Sequence, residues 1–137
     1  MNTRLRISTG ALLLAAALQA SAATLPQAKT ENGVSYLSGG IGQDEAAAMR
    51  AEAKDYPLSM VFSAGKDNEY LAGVTVTIKD KTGKQVLNTA STGPILLVKL
   101  PAGRYSIAAE RNGQTLRRTV QVNHHGDKRV NFHWASA

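Results

Sequence analysis

Three histidines carry most of the chemistry this chain can offer. His124 and His125 are adjacent, Asp127 follows within the same short His-His-Gly-Asp run, and His133 lies further along. Neighbouring side chains on an extended strand point to opposite faces, so His124 and His125 converge only in a turn. There, with His133 and Asp127, they make three nitrogens and an oxygen, a borderline metal set. The spacing matches no zinc signature, and the plain reading is a polar turn between strands. Serines are plentiful, but no Gly-x-Ser-x-Gly element accompanies them, so a hydrolase triad has no local support. The cluster Gly39-Gly40-Ile41-Gly42 precedes a helix-like segment and invites comparison with phosphate-binding loops. It lacks the Gly-Lys-Ser/Thr ending, and Asp44 and Glu45 sit where a phosphate would bind, so it reads as a structural turn. Tyr36, Tyr56 and Tyr70 are the candidates for stacking on a small ligand or glycan. No cofactor is expected, and the histidines stand as metal candidates only.

These residues need a scaffold, and its compartment is written at the start of the chain. Arg4 and Arg6 make a basic opening, and residues 11–18 form an apolar run too short to span a bilayer. Ala20-Ser21-Ala22 then offers small residues for a peptidase, so the reading is a secretory signal peptide over 1–22, cut near Ala22 and leading to the periplasm or the outside. No membrane span is expected after cleavage. The whole sequence has no cysteine, which removes thiol catalysis, thiolate metal sites and stabilisation by disulfides.

Cleavage leaves about 115 residues, room for one domain, and lowers the formal charge from +6 to about +4 as Arg4 and Arg6 depart. The remaining basic residues are scattered along strands and turns with few aromatics between them, a pattern unlike a nucleic-acid binder. No nucleic-acid partner is expected. An envelope protein or a glycan is.

Residues 23–57 read as a flexible lead-in, a short strand at Val34 to Ser38, the glycine turn, and a helix from about Glu45 to Lys54 capped by Asp44. From Leu58 onward the period changes to two. Val74, Val76 and Ile78 share one face, as do Tyr105, Ile107 and Ala109, and Val130, Phe132 and Trp134. Ile95 to Leu100 is apolar throughout, as in a central strand covered on both sides. Asn112-Gly113 is a type I′ hairpin signal, and Lys81 to Lys84 another tight turn. Arg118 falls in phase with Leu116, Val120 and Val122, which predicts a bulge or an edge strand.

Gly73-Val74-Thr75-Val76, Gly83, Thr92-Gly93 and above all Leu100-Pro101-Ala102-Gly103-Arg104-Tyr105 resemble the carboxypeptidase regulatory-like domain over roughly Leu58 to Trp134. The resemblance implies a mainly β fold: an antiparallel, seven-stranded, transthyretin-like (Greek-key) β-sandwich over 58–134, here with one short N-terminal helix. It also implies a non-catalytic accessory, carbohydrate-binding-like or adhesion-like module. A related transthyretin-like group hydrolyses 5-hydroxyisourate with a carboxy-terminal Tyr-Arg-Gly-Ser motif and histidines. This chain ends Phe132-His133-Trp134-Ala135-Ser136-Ala137 instead, so that activity does not carry over. The expectation is therefore a periplasmic interaction module and not an enzyme. The alternative is a small-ligand or carbohydrate-binding protein whose pocket lies between the glycine-helix segment and the sandwich.

Overall fold

The computed structural model describes residues 24–137; the signal peptide expected over 1–22 lies outside the described residues. The chain is mainly β, with two sheets and one short helix. In order it forms β1 (Lys29–Glu31), β2 (Val34–Gly39), α1 (Gln43–Glu52), a 3₁₀ turn (Ala53–Asp55), β3 (Leu58–Ala64), β4 (Glu69–Tyr70), β5 (Thr75–Asp80), β6 (Gln85–Ala90), β7 (Ile95–Lys99), β8 (Gly103–Arg111), β9 (Gln114–Val122) and β10 (Lys128–Trp134). Sheet A runs β1-β2-β7-β3-β10, with β4 paired to the far end of β3, and sheet B runs β6-β5-β8-β9.

Alternation builds the core as the sequence predicts. Val76 and Ile78 of β5, Tyr105, Ile107 and Ala109 of β8, and Val120 and Val122 of β9 face Leu58, Met60 and Phe62 of β3, Leu96 and Val98 of β7, and Val130, Phe132 and Trp134 of β10. Strand β7 is covered on both sides: its other face, Ile95 and Leu97, packs with Leu37, Met49, Ala53 and Tyr56 in a second cluster under α1. A ten-residue helix is marginal alone, so this packing, centred on the fully buried Met49, is what holds it.

Several expectations are corrected. There are ten strands among the described residues, eight of them (β3 to β10) within 58–134 where seven are expected, and β10 pairs with β3 in parallel, Lys128 opposite Leu58 through Trp134 opposite Ala64. The pairing is parallel because the chain leaves sheet A after β7, makes the β8–β9 hairpin in sheet B, and returns beside β3 in the same direction. The supposed flexible lead-in contributes β1, joined to β2 by Asn32-Gly33 with φ of 53° and 77°, the same kind of turn that Asn112-Gly113 makes between β8 and β9 at 48° and 77°. The helix starts earlier than predicted, at Gln43, and its N-cap is Gly42 rather than Asp44. Of the bulge or edge expected at Arg118 the edge is found: β9 ends sheet B and its register with β8 is unbroken. Arg118 lies over the Phe132 ring, 5.4 Å from its centroid, covering the open side of the sandwich with an inward-pointing charge that also guards the edge. Trp134 donates its indole N–H to Gln114 O at 3.1 Å on the same side. On the opposite side the β1–β2 turn closes the β6 edge, where the Glu31 carboxylate accepts from Asn88 N–H and Asn32 donates to Val86 O.

Two local features fix the turn chemistry. The Tyr105 hydroxyl donates to Pro101 O at 2.8 Å, bridging the Pro101-Ala102-Gly103 turn from within the core. Burial, and then the Asp80 charge, push the Tyr105 pKa above its ordinary 10.0. Gly93 passes so close to Gly39 that any Cβ there would collide with the Gly39 carbonyl, and Thr92 secures the approach with N–H to Ser38 Oγ at 2.8 Å.

Tyr105→Ala is expected to cost about 3–5 kcal/mol by chemical denaturation, and Tyr105→Phe about 1 kcal/mol through the lost hydrogen bond. Because the folded-state pKa of Tyr105 is raised, its contribution is intact below pH 10 and lost as pH rises through the folded value. Tyr105→Phe should therefore flatten part of the alkaline loss of stability; an unchanged alkaline limb would contradict the burial of that hydroxyl. Gly93→Ala should destabilise by at least about 2 kcal/mol, since the obstacle is backbone.

Candidate functional site

The outer face of sheet A is covered over only half its width. Helix α1 lies on β2 and β7, and its cluster reaches Val61 of β3, while Arg129, Asn131 and His133 of β10 beyond are exposed. Parallel pairing puts partners on the same face, so the outward residues of these strands form cross-strand rows: Ser59 with Arg129, Val61 with Asn131, and Ser63 with His133. Strand β4 extends the last row, because Tyr70 pairs with Ser63. Between this open half and the helix lies a groove of about 610 Å³. Val61, Pro94, Ile95 and Leu97 supply its apolar surface, Ala46, Arg50 and Ala53 the helix side, and Ser59, Arg129, Asn131 and Tyr70 the strand side.

Gly40 and Gly42 close one end of the groove, with φ of 98° and 86° that side-chain-bearing residues rarely adopt. The amides of this turn are already engaged: Glu45 Oε1 accepts from Gly40 N–H at 2.7 Å and from Ile41 N–H at 3.3 Å. A first-turn carboxylate thus folds back on the amides before its own helix, as in a capping box displaced toward the turn. The position that a phosphate would take in a phosphate-binding loop is filled by the protein itself.

The three tyrosines go to three different places. Tyr36 is in the sandwich core, with its hydroxyl 3.4 Å from Thr89 Oγ1. Tyr56 is buried under α1, with Lys99 Nζ 5.0 Å from its ring centroid. Burial first, then Glu52 and Asp55, raise its pKa. Only Tyr70, 69% exposed, presents its ring to solvent, and it does so at the groove. The histidines also separate. His124 and His125 are exposed in the loop before β10, with ring centroids 6.4 Å apart. His133 is five residues into β10, roughly 16 Å along the strand. No group of three or more His, Cys, Asp or Glu side chains is gathered for a metal among the described residues.

What the chain does bring together is a pair that sequence reasoning missed. Ser63 Oγ lies 2.9 Å from His133 Nδ1, on the face of the sheet next to Tyr70. Serine hydroxyl and imidazole are the beginnings of a nucleophile and base. Here, among the described residues, no carboxylate hydrogen-bonds the imidazole, and the pair lies one step from the end of the β3–β10 ladder. The pair puts two polar side chains in one row with Tyr70. Seventy positions separate Ser63 from His133, and no local spacing reports their contact.

A second hollow, about 460 Å³ on the outer face of sheet B, is lined by Thr75, Thr77, Lys79, Glu110 and Arg117 among others. It mixes both charge signs and lacks the apolar floor of the first. The sheet A groove is the better ligand site on those grounds. In comparisons with known proteins, no family model matches the chain and no curated protein does.

Tyr70→Ala is expected to leave stability within about 0.5 kcal/mol of the wild type, while Tyr36→Ala and Tyr56→Ala each cost about 3–5 kcal/mol. Denaturation midpoints of the three variants check the separation; a large loss at Tyr70 would place its ring in a core.

Proposed function

We propose that the chain is a non-catalytic, exported (periplasmic) β-sandwich module that contacts a protein or another cell-envelope component through the open half of sheet A. The observation that carries this reading is the half-covered face, on which an exposed tyrosine, two arginines and an apolar floor share one groove. Export is supported by the order of basic, apolar and small residues over 1–22. No helix among the described residues is long and apolar enough to cross a membrane. A non-enzymatic role is supported by the incomplete chemistry around Ser63 and His133. Kinship with the carboxypeptidase regulatory-like, transthyretin-like domains is part of the proposal, and its best support is the Leu100 to Tyr105 element, whose tyrosine hydroxyl reaches back to the proline carbonyl. A second reading, a small-ligand or carbohydrate-binding protein, is favoured by the exposure of Tyr70 alone of the three tyrosine candidates.

The test is photo-crosslinking in intact source cells, with the reactive side chain placed at Tyr70 or, as a control, at Thr77 on sheet B. One identified envelope component captured through Tyr70, and lost with Arg129→Glu, is the expected result. Equal capture through Thr77, or none at either position, overturns the assignment of this face.

A further inference from the structure

The groove holds two guanidinium groups and no carboxylate among its lining residues. Arg50 enters from α1 and Arg129 from β10, on either side of the floor made by Val61, Ile95 and Leu97. The nearby helix-start carboxylate, Glu45, accepts from the amides of Gly40 and Ile41 and is not among the lining residues. Two cations over low-dielectric walls concentrate anions, and each guanidinium presents a planar fork that matches a carboxylate. An inorganic anion would leave the floor and the tyrosine unused. A pyranose ring uses both: its C–H face covers an aromatic ring, and its hydroxyls meet side chains such as Asn131 and Ser59, which line the same groove.

The geometry points to an acidic sugar unit of the uronic-acid type as the ligand of this groove, its carboxylate held by Arg50 and Arg129 and its ring set against Tyr70. This assignment rests on the reading of the half-covered face as the contact surface, and it gives that face a chemistry. The neutral-sugar and simple-anion alternatives each use only part of the lining.

The protein purified from cells expressing the full chain is titrated with sodium glucuronate, glucose and acetate by calorimetry. Glucuronate should bind about tenfold more tightly than either glucose or acetate, the difference expected of a charge-assisted contact added to ring stacking. Arg50→Gln and Arg129→Gln should each reduce glucuronate toward the glucose value with no change in denaturation midpoint, and Tyr70→Ala should weaken glucuronate and glucose alike. Equal affinity for glucuronate and glucose overturns the carboxylate assignment, and equal affinity for glucuronate and acetate overturns the sugar assignment. Absence of binding by all three overturns the ligand class. In that case an envelope protein captured through Tyr70 leaves the face as a contact surface, whereas failure of that capture as well removes both readings.

Discussion

The parallel alignment of β10 on β3 is the constraint from which the rest of the molecule follows. It brings the last strand of the chain beside the first long one, with Lys128 N–H bonded to Pro57 O at one end and Gly65 N–H to Trp134 O at the other. In that register Val130, Phe132 and Trp134 turn inward with Leu58, Met60 and Phe62, and Phe62 and Phe132 lie with ring centroids 6.0 Å apart. A slip of one residue would reverse every side chain on β10, exposing two large aromatics and burying Arg129 and His133. The same register that completes the core therefore decides what the outer face displays.

That outer face is divided by the size of the helix. Ten residues with one fully buried side chain, Met49, cover β2 and β7 and reach only Val61 of β3. The helix is steered there by Gly40 and Gly42 and anchored by Glu45, whose carboxylate satisfies two turn amides that would otherwise lack partners. A groove results at the border between covered and open sheet. Around it Ser63 and His133 hydrogen-bond each other, and Arg50 and Arg129 face solvent over an apolar floor.

Much of the fold is legible in single stretches of sequence, and the limits of that legibility have physical causes. The inward sets on β5, β8 and β10, the double burial of β7 and the Asn112-Gly113 turn follow from period-two patterning and turn chemistry. Asn32-Gly33 carries an identical turn signal, yet its first strand is only three residues of polar sequence, stabilised by pairing with β2 and not by burial. Arg118 breaks the apolar phase of β9 because its guanidinium lies on Phe132, a contact set by two strands in different sheets. The candidate site was legible only in part. A pocket between the helix and the sandwich was foreseeable from the glycine turn, but the tyrosine that serves it was one of three equivalent candidates, and Arg50, Arg129 and Asn131 had no local mark.

The sequence by itself determined the alternation that makes strands, the turns that join them, the lack of any thiol chemistry and the face each strand buries, because these depend on neighbours within a few residues. Tertiary structure alone decided that β10 runs parallel to β3, that His133 meets Ser63 rather than His124 and His125, that Tyr36 and Tyr56 are buried while Tyr70 is open, and that two arginines share a groove. Those outcomes depend on which strands become neighbours after the chain has crossed between sheets, and contacts spanning some seventy residues leave no periodicity for a local reading to find.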